Sequence, residues 1–252
     1  MIRWERRGTV GVATIDRPER RNALNAGLCD DLRARLESSA DLRAIVITGA
    51  GTAFCAGADL VTRNDSGRDP EDTLRPAFDR LVDAVEAFAG PVIAAVNGPA
   101  IGAGMQLAVA CDLRVVAPTA TFAIPAARLG IVLSPANIQR LGLLVGPGTA
   151  RDVLLAARTF DADAAEAAGL VHRRADDAVA AALEWAESLA RFAPLSVAAH
   201  KRALVLLSRA QGYADAARDE VRGLELGAIR SCDLQEGLAA FAEKRPPEFE
   251  GR

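Results

Sequence analysis

The chain has 252 residues, of which 30 are Lys or Arg and 33 are Asp or Glu, so its formal net charge is −3. This near-neutral balance excludes the basic footprint of a nucleic-acid-binding protein, and an apolar content of 50% excludes a disordered chain. At roughly 150 residues per domain, the length predicts one to two domains.

Neither the N-terminus nor the cysteine pattern indicates export or metal binding. The N-terminal segment has no apolar core of a signal peptide, and no apolar run approaches the roughly 18 residues of a membrane span. The cysteines show no CxxC spacing and the histidines are scattered, which argues against zinc; these residues are Cys29, Cys55, Cys111, Cys232, His172 and His200. We therefore expect a cytoplasmic protein with reduced cysteines and no metal or redox cofactor.

Short β-rich runs alternate with helical patterns along the first part of the chain. Val10–Ile15 predicts a strand, and Asn25 is a candidate N-cap for the helix that follows. Residues 44–48, Val92–Val96 and Leu113–Val116 predict buried strands. This order indicates an α/β architecture, and the low aromatic content of 4% predicts a core of small side chains with closely packed helices.

The strand signals stop after Arg174. Residues 178–190, 195–210 and 213–229 show helical patterns. The tail, residues 241–251, contains a Pro-Pro pair, and we expect the chain to be extended beyond that pair. Residues 61–72 are polar and charged and predict an exposed, mobile loop. We accordingly divide the chain into a core of residues 1–191 and a helical region of residues 192–252.

Two glycine-rich segments follow buried strands, at residues 48–60 and 97–107. Small residues allow the backbone to approach a ligand closely, and a helix N-terminus leaves N–H groups free. Two such segments side by side could each direct one N–H at a single oxygen, as in the oxyanion hole that stabilises a thioester enolate. Tight strand-to-helix turns without a ligand would leave the same pattern, whereas neither segment matches a dinucleotide or P-loop motif.

Several longer motifs are more specific, and they occur in one order along nearly the whole chain. They are RPERRNAL from residue 17, FCAGADL from 54, PVIAAVNG from 91, CDLR from 111, AGLV from 168 and FAEKR from 241. By these motifs the chain resembles the enoyl-CoA hydratase/isomerase (crotonase) superfamily. Residues 97–107 and 243–251 are also similar to actinobacterial members that lack hydratase chemistry and bind long acyl-CoA.

The resemblance implies a fold, an assembly and a ligand. The fold is a crotonase-like spiral of ββα repeats with a C-terminal helical trimerisation region, assembled as a homotrimer or a dimer of trimers. The ligand is an acyl-CoA thioester, which brings coenzyme A as part of itself rather than as a cofactor. No nucleic acid and no membrane span are implied.

The resemblance also implies site residues. The backbone N–H groups of Ala58 and Ala103 match the oxyanion hole, Arg20 and Ala23 match the contact with the CoA adenine, and Phe241 and Lys244 match residues that contact the CoA of a neighbouring subunit. The full expected substrate-binding set is Arg20, Ala23, Ala56, Ala58, Asp59, Leu60, Val61, Ala103, Gln106, Ser134, Phe241 and Lys244.

The chain departs from the family at the residues that transfer protons. Hydratases of this family use two glutamates, and the matching positions here are Gln106 and Ala126. A carboxamide and a methyl group cannot act as general acid or base, and each such group typically contributes about 10²–10⁴-fold to a rate. We therefore expect little or no hydration, although a backbone oxyanion hole would survive.

Other polar residues near the two segments are alternative catalytic groups: Asp59, Asp65, Glu71, Asp72, Cys55, Ser134 and Asn137. Each also has an ordinary explanation. Asp59 can structure its loop, the three acids at 65, 71 and 72 can belong to a solvated loop, Cys55 can be a small buried hydrophobe, and the residues at 134 and 137 can hydrogen-bond a ligand. Gln106 either orients a ligand or is a plain helix residue. The leading hypothesis is an acyl-CoA-binding protein of fatty-acid metabolism without hydratase activity. The alternative is an active enoyl-CoA hydratase/isomerase (a lyase) or other CoA-thioester enzyme that uses other residues.

Overall fold

The structure is a computed structural model that describes residues 1–59, 70–210, 223, 226–227 and 229–248. The strands are β1 (Ile2–Arg7), β2 (Val10–Ile15), β3 (Ala44–Gly49), β4 (Val92–Val96), β5 (Ala100–Ile101), β6 (Leu113–Val116), β7 (Thr121–Ala123), β8 (Phe160–Asp161) and β9 (Arg173–Arg174). The helices are α1 (Ala26–Glu37), α2 (Pro70–Ala87), α3 (Ala103–Ala110), α4 (Pro135–Leu154), α5 (Ala162–Ala167), α6 (Ala178–Leu189), α7 (Pro194–Ala210) and α8 (Cys232–Glu243), with short 3₁₀ helices at Pro18–Arg20 and Ala126–Leu129.

The described strands form two sheets. The larger has the order β1-β2-β3-β4-β6-β9, in which β1 is antiparallel to β2 and the other neighbours are parallel. The smaller has the order β5-β7-β8. All residues of β3 and β4 are buried, as expected of parallel strands that are covered on both faces.

Alternate residues of the larger sheet pack into two separate cores. Ile45 and Ile47 of β3 belong to the core that includes α1, α2 and α3. Ala44 and Val46 point to the opposite face, where they join Ala178, Ala182, Ala186 and other residues of α6. Because those alanines recur every four residues, they form one helical stripe that lies close against the sheet. The expected core of small side chains is therefore confirmed at α6.

Most of the predicted elements have the predicted bounds. The strands Val10–Ile15, Val92–Val96 and Leu113–Val116 are confirmed, and residues 44–48 form β3 with one more residue. The Asn25 side chain caps α1 by accepting a hydrogen bond from the Leu28 N–H at 2.9 Å. Residues 178–190 and 195–210 lie on α6 and α7.

Three predicted segments need correction or lie partly outside the described residues. The predicted loop 61–72 is wrong at its end, because α2 begins at Pro70; proline is as typical of a first helical position as of a loop. Residues 61–69 lie outside the described part of the chain. The tail that is predicted to be extended beyond its Pro-Pro pair is described only to residue 248, and α8 ends before that pair at Glu243, where Lys244 adopts a left-handed φ of 56°. Of residues 213–229, only 223, 226, 227 and 229 are described, and all are helical.

No helix among the described residues is long and apolar enough to cross a membrane. The division of the chain near residue 191 stays a prediction. Nevertheless, a buried ion pair crosses it: Lys201 of α7 is 8% exposed, and its Nζ donates to Asp112 Oδ2 at 2.7 Å. The same Nζ donates to the carbonyl oxygens of Val85 at 2.9 Å and Gly90 at 3.1 Å, so it ties α7 to the end of α2 and to the start of β4.

We predict that Lys201→Ala destabilises the protein by about 3 kcal/mol, because it leaves the Asp112 carboxylate buried without its cation. Burial already raises the pKa of Asp112, so protonation relieves the variant and the loss is smaller at acidic than at neutral pH. Urea unfolding measures both effects. The exposed neighbour Arg202 is the control, and Arg202→Ala should change stability by less than about 0.5 kcal/mol. Equal unfolding midpoints for the two variants would contradict this assignment.

Candidate functional site

The two glycine-rich segments follow adjacent parallel strands. Residues 50–59 follow β3, and residues 97–102 follow β4. The carboxyl ends of adjacent parallel strands meet at one edge of a sheet, which is where open α/β sheets bind ligands. The topology therefore brings the two segments together, as the sequence predicts.

Two asparagines hold the first segment in place. The Nδ2 of the fully buried Asn22 donates to the carbonyl oxygens of Ala50 at 2.8 Å and Ala53 at 2.7 Å. The Nδ2 of Asn97 donates to the carbonyl oxygens of Gly49 and Gly51, both at 2.9 Å. Sequence reasoning placed both residues in motifs but assigned them no role. Their amides satisfy carbonyl groups that a loop with no strand partner would otherwise leave unpaired.

The two segments are also hydrogen-bonded to each other. Cys55 N–H donates to the Pro99 carbonyl at 3.1 Å, and Ile101 N–H donates to the Cys55 carbonyl at 2.9 Å. A Cβ placed on Gly104 would lie 2.2 Å from that Cys55 carbonyl oxygen. The first turn of α3 therefore packs against the first segment so closely that only glycine fits at this position.

A glycine with positive φ precedes each expected oxyanion residue. Gly57 has a φ of 104°, and Gly102 has φ 56° and ψ −116°. Residues other than glycine rarely adopt these backbone conformations. The two glycines are neighbours, since a Cβ on Gly102 would lie 3.7 Å from the Gly57 Cα, and one on Gly57 would lie 3.8 Å from the Ala103 nitrogen.

These turns leave the N–H groups of Ala58 and Ala103 available. Leu24 bonds to the residues on either side of Ala58, by donating to the Gly57 carbonyl at 2.8 Å and accepting from the Asp59 N–H at 2.7 Å. Ala58 N–H itself donates to no described residue. Ala103 is the first residue of α3, where N–H groups have no partner within the helix. The next helix along the chain after the first segment, α2, begins at Pro70, so among the described residues only Ala103 combines an expected oxyanion N–H with a helix N-terminus.

Both alanines line a cavity of about 320 Å³. Its walls are formed by the two segments, the face of α2, the 3₁₀ helix Ala126–Leu129 and the first turn of α4. The polar side chains among its described lining residues belong to Arg21, Arg75, Asp79, Gln106, Ser134 and Asn137. The remaining lining residues are mostly apolar, which suits an acyl chain.

The two positions that the family resemblance matches to the hydratase glutamates lie in this cavity. Gln106 is half-buried on α3 and Ala126 is 9% exposed at the start of the 3₁₀ helix. No described residue hydrogen-bonds the Gln106 carboxamide, which leaves it available to a ligand. The structure thus brings Gln106 and Ala126 to the same cavity as the Ala58 and Ala103 N–H groups.

A carboxylate that sequence reasoning missed also lines the cavity. Asp79 of α2 accepts hydrogen bonds on Oδ1 from Ser134 Oγ and from Asn137 Nδ2, each at 3.2 Å. The two residues proposed as direct ligand contacts thus line the cavity and donate hydrogen bonds to Asp79 within it. Because Asp79 is 55 residues from Ser134 in the chain, no local motif could have signalled this cluster; an acid on the apolar face of a helix is the one available hint.

The other candidate catalytic groups have structural explanations. The Asp59 side chain is 3% exposed, forms an ion pair with Arg17 at 2.5 Å, and does not line the described cavity. Burial raises the pKa of the Cys55 thiol to about 12, so it is not a thiolate at neutral pH. Burial and the Arg114 guanidinium lower the pKa of His172 to about 4, and neither histidine lines the described cavity.

The remaining expected contacts divide into three groups. Ala56 and Phe241 line the cavity, and Phe241 does so within its own chain. The described part of the cavity wall includes Arg21 but not its neighbour Arg20, nor Ala23 or Lys244. Five residues cannot be placed because they or their side chains lie outside the described residues: Leu60, Val61, Asp65, Glu71 and Asp72. Within the described part, no cluster of His, Cys, Asp and Glu could hold a metal ion.

Comparison with known proteins agrees with this geometry. The chain is 45% identical over 249 residues to a probable enoyl-CoA hydratase, EchA6, of Mycobacterium leprae (strain TN), with 96% of each chain covered. It is 37% identical to the 2,3-dehydroadipyl-CoA hydratase of Escherichia coli (strain K12), over 98% of this chain and 97% of that one. The structure matches a methylmalonyl-CoA decarboxylase in complex with 2-nitronate-propionyl-CoA with a TM-score of 0.90 and 25% identity, over 100% and 98% of the two chains.

The fold neighbours confirm the predicted crotonase-like α/β architecture. The model of the enoyl-CoA hydratase/isomerase family matches residues 5–252. This match spans nearly the whole chain, and the curated relatives exceed 30% identity at almost full coverage. The chain therefore belongs to the enoyl-CoA hydratase/isomerase family.

Proposed function

We propose that this protein binds acyl-CoA thioesters in the 320 Å³ cavity and holds the thioester oxygen with the N–H groups of Ala58 and Ala103, without adding water to the acyl chain. The observation that carries the proposal is the pairing of Gly57 and Gly102, whose positive φ values leave two adjacent backbone N–H groups at one cavity without an acceptor among the described residues. Two such donors suit an oxygen that gains negative charge.

The lack of hydration follows from the side chains around these donors. Addition of water to an enoyl thioester needs one group to deprotonate the water and a proton source for C2. Gln106 has no titratable proton near neutral pH, and Ala126 has no polar atom. Replacement of two acid–base groups lowers a rate by several orders of magnitude, while ligand binding through the backbone and the apolar wall is kept.

Several relatives and a neighbour support the ligand class, since each is named for a CoA thioester. The apolar lining supports an acyl chain as the bound group. Exposed leucines on α7 support the trimer implied by the family resemblance: Leu195, Leu204 and Leu207 are 85%, 68% and 61% exposed in the single chain. Leu204 and Leu207 lie three residues apart on one face of α7, and exposed apolar side chains that lie together are typical of a contact between subunits.

We predict that octanoyl-CoA binds the protein while crotonyl-CoA is not hydrated at a measurable rate. Isothermal titration measures the affinity, and loss of the conjugated-thioester absorbance measures hydration. A ligand present at about 100 times its dissociation constant should stabilise the fold by about 2.7 kcal/mol. Turnover near that of a working hydratase would contradict the proposal, as would the absence of any thermal shift.

We predict that Gln106→Glu combined with Ala126→Glu creates crotonyl-CoA hydration, because both carboxylates would then face the cavity that holds the thioester. The matched control is Gln106→Glu with Ala126→Gln, which adds similar volume but only one carboxylate. Its rate should be lower by about 10²-fold or more. A double variant that folds, binds octanoyl-CoA and shows no gain over the control would overturn the assignment of the two positions.

We predict that Gly57→Ala weakens octanoyl-CoA binding about tenfold and leaves the affinity for free CoA unchanged. The added Cβ would lie 3.0 Å from the Ile101 carbonyl oxygen at a φ of 104°, so the turn must shift and displace the Ala58 N–H. Loss of one hydrogen bond of about 1–1.5 kcal/mol corresponds to about tenfold in affinity. Free CoA has no thioester oxygen and does not form this hydrogen bond, so its affinity should not change.

The control for this variant is Gly142→Ala on α4, where a Cβ meets no atom within 4 Å. It should bind octanoyl-CoA like the unmodified chain. Titration calorimetry with both ligands on both variants decides the matter: equal losses for octanoyl-CoA and free CoA in Gly57→Ala would show that the glycine supports the whole site rather than the oxyanion donor.

A further inference from the structure

Asp79 has the setting of a functional carboxyl group rather than of a surface acid. It lies on the inner face of α2, is half-buried, and has the only carboxylate among the described residues that line the cavity. The walls around it include the apolar side chains of Phe78, Leu133 and Ile131. An acid in such a wall weakens the binding of a plain acyl chain, so its presence calls for a functional explanation.

One oxygen of Asp79 is fixed by two donors, whereas the other has no donor among the described residues. Ser134 is the N-cap residue of α4, yet its side chain makes no capping bond; its hydroxyl donates to Asp79 Oδ1 instead. Asn137 is 5% exposed and donates to the same oxygen. No described residue donates to Oδ2. The carboxyl plane is therefore held by two donors on one side, and the other oxygen is left for a ligand.

The donors are themselves positioned. Arg140 Nη1 donates to Asn137 Oδ1 at 2.9 Å, which fixes the amide so that its Nδ2 points to Asp79. Arg140 is in turn paired with Glu86 of α2 through Nε at 2.5 Å and Nη2 at 3.1 Å. This chain of contacts links α4 to α2 and orients the carboxyl group, as supporting residues do around an acid–base catalyst.

The charges around Asp79 come from both helices. Burial is the largest influence and raises the pKa of Asp79; Asp83 on the same helix also raises it, whereas the Ser134 hydrogen bond, Arg75 and Arg140 lower it. The net direction is upward. A carboxylate with a raised pKa is a stronger base for removing a proton from a bound ligand.

We propose that Asp79 is the acid–base residue of this site and that it removes and returns a C2 proton of a bound acyl-CoA thioester. The proposal rests on the proposed function, because it requires the thioester oxygen to lie at the N–H groups of Ala58 and Ala103. It assigns a proton-transfer activity to a cavity in which both hydratase positions are unable to transfer protons.

The step is balanced by the groups present. Asp79 Oδ2 takes a proton from C2, the C–H electron pair forms the C1–C2 double bond, and the carbonyl π pair moves to the oxygen held by the two N–H groups. Return of a proton from the Asp79 carboxyl to C2 reverses each change and regenerates the carboxylate. On a 3-enoyl thioester, return at C4 instead moves the double bond into conjugation. One acid–base group suffices for this chemistry, whereas hydration also needs an activated water.

Deuterium exchange tests the proposal directly. The full chain is incubated with octanoyl-CoA in D₂O, and the recovered thioester is analysed by mass spectrometry. We expect uptake of a single deuterium at C2, because one base reaches one face of the enolate. Asp79→Asn should lower the exchange rate by about 10²-fold or more. Calorimetry should show that the variant still binds octanoyl-CoA at least as tightly as the unmodified chain, because it removes a charge from the apolar wall. Asn keeps an oxygen acceptor for Ser134 and Asn137, so the variant should fold with an unchanged melting temperature.

The matched control is Asp83→Asn. Asp83 lies one turn further along α2, its side chain is 62% exposed, and it does not line the described cavity. Its removal should leave the exchange rate within about twofold of that of the unmodified chain, since surface substitutions usually have small effects.

The pH profile gives a second, independent readout. Exchange should rise with pH as the Asp79 carboxyl ionises, with a midpoint above the ordinary value for aspartate. Ser134→Ala removes a hydrogen bond that lowers the pKa of Asp79, so it should move the midpoint to higher pH. A residue with only a structural role would change the rate at all pH values without moving the midpoint.

The outcomes separate the two proposals. Exchange that is lost in Asp79→Asn and kept in Asp83→Asn supports the assignment. Octanoyl-CoA binding without exchange, or exchange at the unmodified rate in a folded Asp79→Asn variant, overturns the role of Asp79 and leaves the acyl-CoA site intact. Absence of octanoyl-CoA binding by the unmodified chain overturns both.

Discussion

The close contact between the segments that follow β3 and β4 is the constraint on which the site depends. Hydrogen bonds between Cys55 and the backbone of residues 99 and 101 hold the two segments edge to edge. At that distance only glycine fits at Gly104, against the Cys55 carbonyl. Gly57 and Gly102 can then turn the chain so that the next N–H in each segment has no acceptor among the residues that the structure describes. A backbone donor of this kind is set by packing and glycine geometry, not by the identity of a reactive side chain.

This origin explains how binding and proton transfer can separate in one fold. The N–H groups of Ala58 and Ala103 persist as long as the two segments pack together, whatever side chain stands at position 106 or 126. Acid–base groups, by contrast, are single side chains whose replacement need not disturb the backbone. Replacement of either side chain therefore leaves the two backbone N–H groups in place, while a carboxylate from another helix, that of Asp79, lines the same cavity.

Local signals predicted the sheet and the two segments well. Buried strands such as Val92–Val96 are continuous apolar runs, and the Asn25 cap lies directly before a helical pattern. The prediction was wrong where the same composition is typical of both a loop and the first turn of a helix. This is the case at Pro70, where a polar, proline-containing stretch begins α2. The buried amides of Asn22 and Asn97 could not be foreseen, because their partners are loop carbonyls whose positions depend on the tertiary fold.

Asp79 shows why the acid–base chemistry of such a site is the least predictable part of it. Its partners Ser134 and Asn137 come from the start of α4, more than fifty residues further along the chain, and a motif search finds only residues whose spacing is fixed. What determines its role is a set of non-local facts: partial burial in an apolar wall, two donors on one oxygen, and a second oxygen without a described partner. Each of these acts on the carboxyl in a definite direction, since burial favours the protonated form and the donors favour the ionised one. Because these two influences oppose each other, neither the ionised nor the protonated form of Asp79 is locked in place. A carboxyl group that can change between the two forms can exchange a proton with a bound thioester.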